Sequence, residues 1–518
     1  MGRIDNGMSR RDAVRELGAG LASLAIPISR TAACPPSIPQ STAPSATDSS
    51  NIMQTACEIA DAVRGHQASA VEVLEYYFDR IERLNPALNA FIYLDREGAR
   101  KAARAIDLRI RRREDPGPLA GVPFGVKDLH ECSGMPNSRG SLLYKDSRPA
   151  ERDSAPVGRA RRAGAVPVGK TAAPEFGLHS ITWSLAWGTT RNPWDLTQSP
   201  GGSSGGSSAA VAAGLVPLAG AGDGGGSTRS PAAFAGLVGL KPSHGRIGRD
   251  SVSDTSVAGC LSLTVRDTAR HLDVVAGPTP SDRTSLPPST SQYEQIIETL
   301  DVAGLRVAWS DDLGFAPTES ECISVARKAA ETLVRAGRLL WVDRSLRLPN
   351  IYAAWLVSAV TNLRGDLEAD GIWPDKVDQL TPRVRERAAL ADQFGRADVA
   401  RAQRRRQEIE SVVGAFFEDV DVLMTPVTTV VSLPAEGPIP SLIAGLDARN
   451  TGAEAHLQLA NVCWLPAISV PAGLSSSGFP IGLQIVCGRW RDDVALRLAR
   501  ILEQAEPWPH RAPAYRIG

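Results

Sequence analysis

The spacing of apolar and polar residues predicts alternating helices and strands from residue 53 to the C-terminal region. One helix begins after Ser69, because the segment SAVE at 69–72 is a capping box whose serine and glutamate each satisfy a free backbone N–H. Apolar residues then recur at helical spacing until Asn85-Pro86, where we expect the helix to end. The residues that form this apolar stripe are Val71, Leu74, Phe78, Ile81 and Leu84.

Short apolar runs bounded by glycine or proline indicate buried strands. They are GVPFGVKDL at 121–129, RAGAVPVGKT at 162–171, VDVLMTPV at 420–427, and PAISVPAG with FPIGLQIVCG between 466 and 488. A charged helical stretch runs from 383 to 418. Strands and helices thus alternate along the chain, which predicts an α/β sandwich with a central sheet.

The first fifty-two residues differ from the rest. Arg10 and Arg11 precede a weakly apolar run that is too short to span a bilayer permanently, and small residues follow it. This pattern resembles a twin-arginine export signal, so we expect export to the periplasm or cell envelope; the alternative is a disordered tail on a cytoplasmic protein. The predicted organisation is an export signal at 1–33, a spacer rich in proline and serine at 34–52, and a catalytic domain at 53–518.

Composition narrows the range of partners. The 518 residues are 43% hydrophobic and 22% charged, as in an average globular protein. Basic and acidic residues are equal in number, 57 each, so net charge provides no reason to expect a nucleic-acid partner. The seven cysteines and seven histidines form no cluster with metal-ligand spacing, and we expect buried thiols, no metal and no cofactor.

The stretch SPGGSSGGSSAAVAAGLVPLAGAGDGGGSTRS at 199–230 is the main candidate for chemistry. A flexible linker does not account for its central AAVAAGLVPLAGAG, which favours a packed helix followed by a buried strand. A phosphate-binding loop of the P-loop type requires a lysine after the glycines, and none follows. The segment 201–205 also matches G-x-S-x-G, which leaves open an esterase with Ser203 as nucleophile and His456 or His510 as base.

The whole stretch resembles the signature of the amidase signature family. The resemblance rests on GGSSGGS at 201–207, on DGGGSTR at 223–229 and on GLKP at 239–242. Upstream, AGVPFGVKD, GKTAAPEF and GTTRNPWD match further family blocks, and LPAISVPAG with GFPIGLQIV matches its C-terminal end. The resemblance covers residues 55 to 505 and implies one large α/β/α sandwich with a twisted mixed sheet. Its overall pattern is especially similar to the branch that includes cyclic nylon-oligomer hydrolases.

The resemblance implies a catalytic triad of Lys127, Ser203 and Ser227. Ser227 is the expected nucleophile, Ser203 passes its proton on, and Lys127 accepts that proton as a neutral amine. Burial disfavours the ammonium form, which suits the apolar surroundings of Lys127 in the sequence. In the family the bridging serine follows a cis peptide bond, here Gly202–Ser203.

Further residues are expected to support this triad. Backbone amides of Gly224, Gly225 and Gly226, with that of Ser227, form the expected oxyanion hole. Supporting roles are expected for Ser204 and for an ion pair between Asp223 and Arg229 that holds the turn. The remaining candidates are aromatic. Trp464, where the family usually has glycine, is a candidate pocket wall, and three further side chains either line the acyl pocket or pack in the core: Trp183, Trp187 and Tyr352.

The expected reaction is hydrolysis of a linear or cyclic carboxamide through an acyl-enzyme, which releases an acid and ammonia or an amine. The expected partner is a small amide, with neither nucleic acid nor a permanent membrane span. Besides the esterase, one alternative stays open: an amidotransferase subunit that acts on charged tRNA with protein partners.

Overall fold

Eleven strands form one mixed sheet in the part of the chain that is described. The structure, a computed structural model, describes residues 55–250, 253–290, 292–509 and 511–515. Two short hairpins lie outside the large sheet: β4 with β5, and β12 with β13. In chain order the strands are β1 (Phe91–Leu94), β2 (Pro123–Lys127), β3 (Val166–Thr171), β4 (Trp183–Ser184), β5 (Gly188–Thr189), β6 (Leu218–Asp223), β7 (Val238–Lys241), β8 (Val257–Ser262), β9 (Arg306–Trp309), β10 (Leu340–Trp341), β11 (Val422–Pro426), β12 (Leu442–Ile443), β13 (Leu446–Asp447), β14 (Ala467–Leu474) and β15 (Pro480–Cys487).

The order of strands in the sheet determines which residues meet at its edge. That order is β1-β3-β2-β6-β8-β7-β14-β15-β11-β9-β10. Strand β2 runs parallel to β3 and to β6, and Phe124 lies opposite Leu218. Because β2 and β6 are parallel neighbours, their carboxyl ends, at Lys127 and Asp223, lie on the same side of the sheet.

Helices flank this sheet, which confirms the predicted α/β class. The helices Gly205–Ala212 and Arg229–Ala235 pack beside the central strands, and the helix Asp492–Ala505 packs against β14 and β15. In chain order the helices are α1 (Ala56–Arg64), α2 (Ala70–Leu88), α3 (Arg96–Arg111), α4 (Ala155–Arg162), α5 (Gly205–Ala212), α6 (Arg229–Ala235), α7 (Val265–Val275), α8 (Tyr293–Thr299), α9 (Ser320–Gly337), α10 (Tyr352–Ala369), α11 (Pro382–Leu390), α12 (Arg396–Asp419), α13 (Gln458–Val462) and α14 (Asp492–Ala505).

Two helix boundaries differ from the sequence prediction. Helix α2 begins at the predicted capping box but continues through Pro86 to Leu88, and Asn89 ends it in the left-handed conformation. The side chain of Asn85 accepts hydrogen bonds from the amides of Ala90 and Phe91, so it stabilises the chain reversal beyond the proline. The charged stretch at 383–418 forms two helices, α11 and α12, with Gly395 as the N-cap of the second.

The small residues of 205–223 are buried at every position of α5 and at all positions but one of β6. Every residue of α5 is buried, and a Cβ on Gly206 would lie 2.2 Å from the backbone nitrogen of Ala172. The glycine-serine clusters are thus packed backbone rather than a flexible linker. The six cysteines among the described residues are unpaired and buried.

The predicted export signal (1–33) and spacer (34–52) lie outside the described residues and stay predictions. The described residues between 55 and 515 form one compact unit. Of the described helices, none combines the length and the apolar character needed to cross a bilayer.

Candidate active site

Lys127 lies at the end of β2 with its amine in a buried serine cluster. The side chain is 1% exposed, and Nζ donates to Ser203 Oγ at 2.9 Å and to Ser204 Oγ at 2.7 Å. Burial lowers the pKa of Lys127 to about 7, although the carboxylate of Asp223 acts in the opposite direction. A substantial fraction of Lys127 is therefore a neutral amine near pH 7, and a neutral amine can accept a proton.

The loop before α5 brings Ser203 and Ser204 to the lysine. The Gly202–Ser203 peptide bond is cis. A Cβ on Gly202 would lie 2.4 Å from the carbonyl oxygen of His179, so only glycine fits at that position. Ser204 Oγ also lies 3.4 Å from both the amide and the carbonyl of Gly222, and it thereby connects the lysine to β6.

Ser227 lies in the turn between β6 and α6, which contains the second glycine cluster. Its side chain is half-buried, and among the described residues its hydroxyl has no hydrogen-bond partner. The amides of Gly224, Gly225 and Ser227 likewise donate to no described residue. The amide of Gly226 differs, because it donates to Asp223 Oδ1 at 2.8 Å. Three free amides thus remain in this turn as donors for a ligand oxygen.

Close neighbours fix the backbone of this turn. Gly226 has φ 124°, and a Cβ there would lie 2.5 Å from Leu457 Cδ1, so the position requires glycine. A Cβ on Gly225 would lie 3.3 Å from the Trp355 ring, and Trp355 Nε1 donates to the carbonyl of Gly224 at 3.0 Å. The turn therefore contacts Trp355 of α10 and Leu457, the N-cap of α13, and these contacts fix the directions of its free amides.

Asp223 and Arg229 form a fully buried ion pair behind the turn. Arg229 Nε and Nη2 each donate to the Asp223 carboxylate at 2.9 Å, while Gln484 and Asn461 also accept from the guanidinium. Burial alone would raise the pKa of Asp223, but the charge and hydrogen bonds of Arg229 hold it well below its ordinary value. The pair is therefore ionised and holds both ends of the turn.

We expect Asp223→Ala to destabilise the fold strongly. Without its partner the Arg229 charge stays buried and uncompensated, which costs about 3–5 kcal/mol in the free energy of unfolding. Chemical denaturation followed by circular dichroism measures this loss. Asp447→Ala is the control, because Asp447 pairs with Arg449 at the surface and its removal should leave the midpoint nearly unchanged. Equal midpoints for the two variants would contradict a structural role of the buried pair.

Trp464 packs outside the serine cluster. Its ring stacks on His244 with centroids 4.2 Å apart, and its Nε1 donates to the carbonyl of Asp254 at 2.6 Å. Its φ of 62° lies in the left-handed region, which explains why glycine suits this position in the family. The described contacts of Trp464 stabilise the segment 253–256, and Ser256 of that segment borders Gly224.

The histidine of the esterase alternative makes its hydrogen bonds elsewhere. His456 is buried, and its Nε2 lies 3.1 Å from the carbonyl of Asp311 and 3.3 Å from Thr318 Oγ1. Burial lowers its pKa to about 4. His510 lies outside the described residues. Within the described ranges, no group of three or more His, Cys, Asp or Glu side chains is placed to bind a metal.

Sequence reasoning missed Trp355, Asn461 and Gln484. Gln484 carries a usable signal, since it is the one polar side chain in the apolar strand PIGLQIVC and a buried amide requires partners. Trp355 has no such signal, because a tryptophan in an apolar helical stretch is equally typical of a core residue.

Comparison with known proteins shows the family to which this chain is similar. The family model described as Amidase matches residues 72–496. An acylamidase of Rhodococcus erythropolis is 34% identical over 477 residues, which cover 89% of this chain and 97% of that protein. A glutamyl-tRNA(Gln) amidotransferase subunit from Chloroflexus aggregans is also 34% identical, over 87% of this chain and 96% of that protein.

A solved structure extends the likeness to the fold. The structure of 6-aminohexanoate cyclic dimer hydrolase has a TM-score of 0.79 and 33% identity to this chain, and the match covers 89% of this chain and 99% of that one. The region matched by the family model contains β2, the serine loop and the glycine-rich turn. The chain therefore belongs to the amidase signature family of amide-hydrolysing enzymes.

Proposed function

We propose that this enzyme hydrolyses small carboxamides through an acyl-enzyme on Ser227, with Ser203 and Lys127 as a proton relay. The observation that carries the proposal is the buried Lys127 amine, 2.9 Å from Ser203 Oγ and with a pKa lowered to about 7 by burial. A buried lysine without a carboxylate in hydrogen-bond contact suits a base better than a structural ion pair.

The proposed reaction has two steps with balanced proton transfers. Ser227 Oγ attacks the amide carbonyl while its proton passes to Ser203, and the Ser203 proton passes to neutral Lys127. The proton then returns through the same relay to the leaving nitrogen, the C–N bond breaks, and the acyl group stays on Ser227. In the second step a water molecule attacks the ester carbonyl while its proton passes through Ser203 to neutral Lys127. The C–O bond to Ser227 then breaks, the proton returns through the same relay to Ser227 Oγ, and the acid leaves.

The remaining residues of the site have supporting roles in this proposal. The free amides of Gly224, Gly225 and Ser227 donate to the oxyanion of each tetrahedral intermediate, and loss of one such donor typically costs on the order of a hundredfold to a thousandfold in rate. Gly226 instead positions the turn, since its amide is bound to Asp223. Ser204 orients the lysine through its 2.7 Å hydrogen bond.

Hydrolysis by the isolated chain tests this function. We expect purified protein to release ammonia or amine from members of a panel of linear, cyclic and aryl amides without added protein or tRNA. Turnover only with partner proteins and charged tRNA would support the amidotransferase alternative instead, since a relative at 34% identity belongs to such an enzyme. Turnover of esters alone would favour the esterase.

A further inference from the structure

Two arginines on helix α11 lie near the proposed site without ion-pair partners. Arg383 and Arg387 are four residues apart and so lie on one face of the helix. The Nε atom of each is buried and has no hydrogen-bond partner. Neither side chain forms a salt bridge with a described residue, and Arg387 Nη2 donates to the hydroxyl of Tyr352 at 3.4 Å.

Contacts on one side connect this pair to the glycine-rich turn. The Arg387 guanidinium lies over the Trp355 ring, 5.5 Å from its centroid. The same indole donates to the carbonyl of Gly224 and covers Gly225. One aromatic ring therefore separates Arg387 from two of the amides proposed to bind the oxyanion.

The charges of Arg383 and Arg387 also act on His179, which adjoins the serine loop. Burial and, after it, the charges of Arg383 and Arg387 lower the pKa of His179 to about 3. The carbonyl of His179 abuts Gly202, next to Ser203. Arg387 thus contacts the ring that covers the glycine-rich turn, and the charges of both arginines act on His179, which adjoins the serine loop.

Glu454, an acidic side chain whose charge acts on Arg387, forms no ion pair with either arginine. Glu454 influences Arg387, but burial raises the pKa of this carboxyl to about 7. Its Oε2 accepts from Ser180 Oγ at 2.8 Å, and its Oε1 has no hydrogen-bond partner. Two adjacent cations with buried, unpaired N–H groups are unfavourable unless an anion binds between them.

We infer that Arg383 and Arg387 bind a carboxylate on the substrate, so that the favoured substrates are amides of acids that carry a second, free carboxylate. The inference rests on the proposed function, because it places this carboxylate beside the Ser227 site. A guanidinium offers a planar pair of N–H donors that matches a carboxylate, and such charged hydrogen bonds are the strong ones.

Matched substrates test the inference. Monoamides of succinic, glutaric and adipic acid are each compared with the neutral diamide of the same acid. We expect wild-type kcat/KM to favour at least one monoamide by about 10- to 100-fold, as for a hydrogen-bonded charge. The double variant Arg383→Gln, Arg387→Gln should lose this ratio. Arg385→Gln, on the exposed face of the same helix, should keep both the ratio and the activity.

The outcomes separate this inference from the proposed function. A wild-type preference for the diamides, or a double variant with the wild-type ratio, would overturn the carboxylate site while hydrolysis still depends on Ser227. Hydrolysis of both substrate classes by Ser227→Ala would instead overturn the proposed function.

A second measurement needs no variant. Glutarate and glutaramide are compared as inhibitors of wild-type hydrolysis of a neutral amide. We expect glutarate to inhibit at about tenfold lower concentration, with the difference reduced by added salt. Equal inhibition by the two, or inhibition by inorganic phosphate as strong as that by glutarate at the same ionic strength, would overturn a site built for a carboxylate.

Discussion

Replacement of Ser227 by alanine should abolish amide hydrolysis. The proposed mechanism has no other atom that can carry the acyl group, so we expect kcat to fall by roughly ten-thousand-fold or more. The buried base, the bridging hydroxyl and the free amides stay in place, and the variant should fold normally because the Ser227 hydroxyl has no partner among the described residues. Steady-state release of amine, with circular dichroism as a check on folding, measures this effect.

A neighbouring hydroxyl provides the control for Ser227. Thr228→Val removes a buried Oγ1 that has no hydrogen-bond partner and keeps the shape of the side chain. We expect this variant to retain most activity. If instead Ser227→Ala stays active and Ser203→Ala alone prevents acyl-enzyme formation, the nucleophile is Ser203 and the esterase-like mechanism replaces the relay.

Lys127→Ala should cause a loss of about a thousandfold or more in kcat/KM, because a serine is a weak nucleophile without its base. In the wild-type enzyme kcat/KM should rise with pH through about 7, since burial lowers the pKa of Lys127 to that value and the neutral amine is the active form. Lys127→Arg should be as inactive as the alanine variant, because a guanidinium keeps its proton.

The control for Lys127 is the buried histidine. His456→Gln should retain activity, because the described bonds of His456 are to Asp311 and Thr318. A wild-type profile that is flat between pH 6 and 9 would contradict a lysine base. So would an active Lys127→Ala enzyme combined with an inactive His456→Gln enzyme.

Local sequence signals predicted much of the fold, whereas the residues of the candidate site came from the family resemblance. The strand candidate at 121–129, and the packed helix followed by a buried strand in 209–222, follow from apolar runs and from the composition of a few residues. The structure has the strand at Pro123–Lys127, begins the helix earlier, at Gly205, and ends the second strand at Asp223. The passage of α2 through Pro86 was not predictable in this way. It depends on hydrogen bonds that the Asn85 side chain accepts from residues beyond the helix end. These bonds can offset the free-energy cost of a proline in the last turn of the helix.

Other features depend on contacts between residues far apart in the chain. Trp355 covers a turn 131 residues before it, and nothing in its own helix distinguishes it from a core tryptophan. Arg383 and Arg387 belong to a charged run that is typical of a solvated helix face, and their isolation from acidic partners is visible only in the folded chain. The occupied amide of Gly226 depends on the orientation of the Asp223 carboxylate, and Asn461, which lies 238 residues further along the chain, donates to the same carboxylate oxygen.

Labelling of serine by a fluorophosphonate probe, followed over pH by mass spectrometry of peptides, tests most directly whether a neutral Lys127 activates Ser227. We predict modification at Ser227, at a rate that rises through pH 7 in the wild-type enzyme and that is close to background in Lys127→Ala. Modification of Ser203 instead, or a rate at Ser227 that depends on neither pH nor Lys127, would contradict this account.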